Sequence, residues 1–190
     1  MQKLRAFTLL EVMVVLAIIG ALMAMATLSG GDRQAEDLTT RTGEQIRTLF
    51  IAYQQEASFQ NIDLGVALEG ENLHLLSLQD IRTQEVQANK TQEELAALNA
   101  NPWQAYSGPL KSTLELPIEL FLTLKIEGQE IELSDEPSKD GLKPVLLFLS
   151  SDEYTPFELS LHHEDDRRFS VVLKGDGFNP PLIEVTHFED

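Results

Sequence analysis

From Phe7 to Leu28 every position is apolar except Thr8, Glu11 and Thr27, and the run contains a single glycine, Gly20. At 1.5 Å per residue such a helix covers about 33 Å, the depth of a bilayer's hydrocarbon core. Lys3 and Arg5 precede the run, which predicts a cytoplasmic N-terminus and a translocated C-terminal part. Ser29-Gly30-Gly31-Asp32 then breaks the pattern. Each glycine costs roughly 1 kcal/mol against alanine in a helix, so a local weakening or kink is expected here. Alternatively, Asp32 caps a second helix. From Arg33 to about Gln60 the spacing is helical again, with Ala35, Leu38, Ile46, Leu49, Phe50, Tyr53 and Ala57 on one side. No proline occurs before Pro102, so the two segments together make one rod of roughly 80 Å.

Beyond residue 60 the period falls to two. Leu64, Val66 and Leu68 alternate, Glu69-Gly70-Glu71-Asn72 turns the chain, and Leu73, Leu75 and Leu76 return, which predicts a hairpin. Residues 79–101 are polar and alanine-rich; Thr91 and Glu94 have capping-box spacing, so a short helix or a mobile insertion is expected. Ile118, Leu120, Leu122, Leu124 and Ile126 alternate with polar residues, Phe121 being the apolar exception on the outer side. Ser134–Lys143 reads as an exposed loop and Val145–Leu149 as a central strand. Phe157, Leu159 and Leu161, then Phe169, Val171 and Leu173, mark two more strands. A last strand runs from Ile183 to Phe188, after Gly175-Asp176-Gly177 and Pro180-Pro181. The predicted class is α+β: a long N-terminal helix, membrane-spanning in one half and amphipathic in the other, packed on an antiparallel β-sheet or β-sandwich.

Charge narrows the function. The chain of 190 residues carries a formal −17, and one cut after Ala6 would lose Lys3 and Arg5 and reach −19. Nucleic-acid binding needs a basic face and is disfavoured. Partners with basic patches are favoured instead. Cysteine is absent, which neither supports nor excludes export, since a domain of this size folds without disulfides.

Glu11 is the residue that needs explaining. A secretory signal with Ala24-Met25-Ala26 as its cleavage site is one reading of the N-terminus, and a plain single-pass anchor is another. Neither gains from a carboxylate, which costs about 2.5–3.5 kcal/mol at mid-bilayer and less near the interface. A third reading uses it. Cleavage between Ala6 and Phe7 would create an ammonium on Phe7, four residues from Glu11. Stacked copies could then pair one chain's carboxylate with a neighbour's amine, relieving both desolvation costs and setting axial register.

The segment Phe7-Thr8-Leu9-Leu10-Glu11-Val12-Met13-Val14-Val15-Leu16 closely resembles the class III signal of type IV pilins and type II secretion pseudopilins. The resemblance implies that a basic leader, residues 1–6, is removed by prepilin peptidase, that Phe7 is N-methylated, and that Glu11 guides assembly. Ala6 stands where that family usually has glycine.

A second segment, Leu147-Phe148-Leu149-Ser150-Ser151-Asp152-Glu153-Tyr154-Thr155-Pro156-Phe157-Glu158-Leu159-Ser160-Leu161, looks like one found in minor pseudopilins of the protein H family. Asp152 stands where a turn glycine is common, and aspartate tolerates the left-handed region. Minor pilins of the FimT/FimU kind share this domain type and are the competing reading. The resemblance implies four parts: a leader (1–6), a transmembrane and filament-core helix (7–28), an amphipathic helix (29–60) and a periplasmic β-rich domain (61–190). It implies a single-pass protein of the bacterial inner membrane, placed near the tip of a periplasmic pseudopilus that helps export folded proteins. The implied partners are other minor pseudopilins, the major pseudopilin and prepilin peptidase; no catalysis and no cofactor are implied.

Catalytic and metal signals are weak. His162-His163 stands before Glu164-Asp165-Asp166, yet adjacent strand residues face opposite sides, so a solvated turn rather than a metal site is expected. Asp176-Gly177 lacks an EF-hand ligand series, and no nucleophile motif is present. Trp103 and Tyr106, between Pro102 and Pro109, read as core or loop packing ahead of a contact patch. An exported soluble binding protein or enzyme, cleaved after Ala26, is the alternative from a different class.

Overall fold

A computed structural model describes residues 9–70, 72–133 and 141–188, without the side chains of 24–32 and Glu85. Helix α1 runs unbroken from Leu9 to Gln60, 52 residues, about 78 Å long. The helix assignment continues through Ser29–Asp32, so no second helix begins at Asp32. Once nucleated, each added residue gains a backbone bond, and with no proline nearby two glycines are too small a cost to break the ladder.

The second half of α1 is the spine of the domain. Ala35, Thr39, Thr42, Ile46, Phe50, Tyr53, Gln54 and Ala57 are buried along one stripe. Thr39 and Thr42 donate their hydroxyls to the carbonyls of Ala35 (2.8 Å) and Leu38 (2.9 Å), so neither enters the core unsatisfied. The expected face is found, with Leu38 and Leu49 only half-buried.

Two antiparallel sheets share this helix. In the first, β1 (Leu64–Glu69) and β2 (Asn72–Leu78) form the expected hairpin, with Gly70 at φ +55° in the turn. β3 (Trp103–Ala105) and β4 (Thr113–Glu115) both pair with β2, and β7 (Leu146–Phe148) pairs with β1. In the second, the order is β10-β9-β8-β5-β6. These strands are β5 (Leu120–Ile126), β6 (Gln129–Ile131), β8 (Phe157–His163), β9 (Phe169–Gly175) and β10 (Leu182–His187). A single core cluster joins both sheets to α1, including Phe50, Tyr53, Leu75, Phe148, Leu159, Val171 and Leu173. The α+β class and the antiparallel pairing therefore stand as expected.

Two strand expectations need correction. Val145–Leu149 is not a central strand: β7 is at a sheet edge. Its apolar run is continuous because its other side is also covered. Thr155 N–H donates to Leu147 O (2.9 Å), Leu147 N–H donates to Thr155 Oγ1 (3.0 Å), and Phe148 bridges Tyr154. Ile118 lies outside β5 and is 74% exposed, because the chain turns at Pro117, whose carbonyl accepts from Leu120 N–H at 3.0 Å. Residues 79–101 hold two short helices, α2 (Gln84–Asn89) and α3 (Gln92–Ala100). The Thr91–Glu94 capping box opens α3 as the spacing predicts. Of the expected loop Ser134–Lys143, residues 134–140 lie outside the described ones.

Helix and second sheet approach closely at Gly43. A Cβ there would sit 2.9 Å from Val171 Cγ1 and 3.0 Å from Ile183 Cδ1. Gly43→Leu is expected to push α1 off β9 and destabilise the protein by about 1–3 kcal/mol, read as a lower denaturant midpoint. An unchanged midpoint would mean the two layers have slack at this contact.

Candidate assembly site

Leu9 to Met23 is a stretch of α1 that is exposed throughout among the described residues. Leu9, Leu10, Val12, Met13, Val14, Val15, Leu16, Ile18, Ile19, Leu22 and Met23 are all 44% exposed or more. Apolar residues face every side, so no rotation of this helix could hide them in its own domain. Covering each large side chain is worth about 1.5–3 kcal/mol, which only lipid or neighbouring chains can supply. Glu11 is the one carboxylate in this stretch. Ala6 and Phe7 lie outside the described residues. Among the described residues, no helix is long and apolar enough to cross a membrane. The expected span, 7–28, extends beyond them at its start, and its last five side chains are also not described.

At the other end of α1, Gln54 ties the helix to both sheets. Its buried amide donates to Asp152 O (2.8 Å) and Phe178 O (3.2 Å). Asp152 belongs to the tight turn after β7 and Phe178 to the loop before β10. The turn closes through Asp152 N–H to Leu149 O (3.1 Å), with Asp152 at φ +72°. The left-handed position inferred from the sequence is real. Asp63 Oδ1 accepts from Ser150 N–H at 2.9 Å. Phe157, after Pro156, fills the core against Phe50 with ring centroids 5.4 Å apart. This segment thus carries the chain from the first sheet to the second while pinned to the helix.

The neighbouring loop is held by Asp176, which accepts from the N–H groups of Phe178 (3.0 Å) and Asn179 (2.8 Å) and from Asn179 Nδ2 (2.8 Å). These bonds, the Asn179 side chain first, lower its carboxyl to about 2. Tyr154 O–H donates to Asn179 O, and Tyr154 N–H to Gly177 O at 2.8 Å. Gln54 and Asp63 were not singled out in the sequence. The available signal was a glutamine beside Phe50, Tyr53 and Ala57 on the apolar side of the helix.

The remaining sequence candidates are distributed, not gathered. His162 stacks on Phe121 on the outer sheet face, centroids 5.0 Å apart, and burial lowers its pKa, with Lys125 adding to the effect. His163 is buried on the opposite face and its Nδ1 accepts from Asp165 N–H at 3.2 Å. Asp166 binds the Arg168 fork through Nε (2.9 Å) and Nη2 (2.8 Å), which lowers its carboxyl. Among the described residues no three His, Asp or Glu side chains gather as a metal site. Trp103 packs over Gly65. Tyr106 is buried, and its hydroxyl donates to Glu56 Oε1 at 2.6 Å.

Burial raises Tyr53 to about 12, and burial together with Glu56 does the same for Tyr106. The neutral phenol is the form the folded state favours. Its contribution is complete below the unfolded value near 10 and lost as pH rises towards 12. Alkaline titration followed by tyrosine absorbance should therefore show ionisation and unfolding together above about pH 10. Free titration of both tyrosines in a still-folded protein would contradict this.

Residues 1–27 match the prokaryotic N-terminal methylation motif. Across 97% of this chain and 98% of the relative, the sequence is 30% identical to type II secretion system protein H of Pseudomonas aeruginosa. It is 29% identical to type II secretion system protein H of Aeromonas hydrophila, over 90% of this chain and 88% of that one. The fold is similar to the crystal structure of the minor pseudopilin EpsH from the type II secretion system of Vibrio cholerae. That match has TM-score 0.52 and 20% identity, covering 81% of this chain and 96% of that one.

Proposed function

The chain belongs to the protein H family of type II secretion minor pseudopilins, and we propose that it is cut between Ala6 and Phe7, anchored by 7–28, and built into the pseudopilus through Glu11. The observation that carries this reading is the two-part α1: docked on both sheets from Ala35 onward, and apolar on all sides from Leu9 to Met23 apart from Glu11. A helix of that kind holds a membrane first and then exchanges lipid for neighbouring helices. The N-methylated Phe7 amine of one chain would pair with the Glu11 carboxylate of the next, in a setting where neither charge is tolerated alone. The acidic domain faces the periplasm and the filament exterior. Its place is near the tip, beside other minor pseudopilins and above the major pseudopilin. The subunit acts structurally, with no catalysis of its own. The curated relatives named for type II secretion favour this system over the pilus of FimT/FimU-type minor pilins.

The mature N-terminus tests the reading directly. Mass spectrometry of the chain from membranes should give a first residue of methylated Phe7. A chain beginning at Thr27, downstream of Glu11, would overturn it.

A further inference from the structure

The two sheets have four edges, and three are short or covered. β3 and β4 share one edge of the first sheet in three-residue pieces; β7 is covered by Thr155; and β6 has three residues. β10 differs. It pairs with β9 in continuous register from Leu182↔Lys174 to His187↔Phe169, and no described strand lies on its other side. Phe188 N–H donates to Arg168 O at 2.7 Å, which fixes the phase of the ladder. Leu182, Glu184 and Thr186 exchange bonds with β9, whereas Ile183, Val185 and His187 direct N–H and C=O outward. Edge strands are usually guarded by lysine, proline, a bulge or brevity. Over its six residues β10 has no lysine, proline or bulge, and its one carboxylate, Glu184, is paired with Lys174 of β9. Leu182, Val185 and Phe188 beside it are 64%, 40% and 50% exposed.

We propose that the outer edge of β10 receives an extended strand from a neighbouring, different subunit of the pseudopilus, continuing the second sheet across the subunit boundary. Unpaired backbone groups in register are matched by another backbone in register, with alternate apolar side chains covering Val185. A second copy of this chain is a poor donor, because two bodies each carrying −19 after the cut before Phe7 repel. The donor is therefore a less acidic subunit. The location agrees with the proposed function, on which this inference rests. β10 lies along α1, joined by Arg47 Nε to Pro181 O (2.6 Å) and by His187 to Glu36 (3.6 Å). Phe188 stands next to this junction, at the base of the domain, so a subunit packed on the apolar half of α1 runs past this edge.

The test uses the full-length chain, co-expressed with the other pseudopilins of its system and purified from membranes. In the captured complex, amide exchange across 182–188 should slow roughly tenfold or more against the chain alone. Val185→Pro removes an outward N–H and spares the β9 ladder, so it should cut co-purification roughly tenfold with little change in melting. Glu184→Pro removes an inward N–H and should unfold the strand. A complex that forms with unprotected β10 amides overturns the inference and leaves the family role intact. Protection arising from a homodimer overturns the choice of donor. Failure to capture any pseudopilin overturns the inference and the proposed assembly role together.

Discussion

Glu11→Ala should leave the chain processed, folded and membrane-bound but absent from pseudopili. The loss should be large, because removing one partner of a buried ion pair costs about 3–5 kcal/mol, roughly two to three and a half orders of magnitude in an association constant. The sign of the membrane effect makes this result diagnostic. A carboxylate in an apolar helix opposes insertion, so alanine makes the monomer no harder to hold in lipid. Loss of assembly then cannot be assigned to loss of anchoring. The β domain serves as an internal control, since Glu11 lies 24 residues before Ala35, the first buried position of the stripe. Resistance of that domain to protease should be unchanged, and Glu11→Gln, which keeps the volume and drops the charge, should behave like alanine. The measurement is the fraction of the chain recovered in sheared pseudopili against that in membranes. Wild-type incorporation by either variant would show that register is set by something other than this charge.

Elements set by short-range pattern were legible before any coordinates. The 3.6-residue stripe of α1, the Leu64–Leu76 hairpin, the Thr91 capping box and the left-handed Asp152 each depend on neighbours a few positions away. What was misread depends on distance in sequence. Val145–Leu149 resembles a central strand because its second edge is covered by residues 153–155 of the following turn, a contact no window of five residues reveals. The rod through Ser29–Asp32 stays helical because a glycine's cost is local, whereas helix continuity is cooperative over many turns. At the candidate site, Phe7 followed from the resemblance of its segment to the class III signal, and Glu11 stood out because charge among apolar residues is visible one letter at a time. Gln54 did not, because its role exists only when Asp152 and Phe178, 98 and 124 residues later, bring carbonyls to it. The open edge of β10 was equally invisible, since an edge is a property of the sheet and not of the strand.

The largest stability effect is expected at Phe50. Its ring is 1% exposed and meets three others: Phe148 and Phe157 at 5.4 Å and Tyr53 at 6.2 Å. Phe148 lies on β7 of the first sheet and Phe157 on β8 of the second, so one side chain from α1 holds both. Phe50→Ala should cost about 3–5 kcal/mol, the transfer of the ring plus a cavity that these strands cannot close. Against a total stability of about 5–15 kcal/mol that is a large share, and melting should fall by roughly 10 °C or more. Leu49→Ala, one position earlier and only half-buried, should cost clearly less, which separates packing from any general effect on helix formation. Because Phe50 is far along α1 from Glu11, its loss should impair assembly only through the folded fraction and be relieved by cooling or a stabilising second change. If Phe50→Ala melted like the wild type, the two sheets would be held to α1 by backbone and polar ties such as Gln54, and the aromatic cluster would be a passenger.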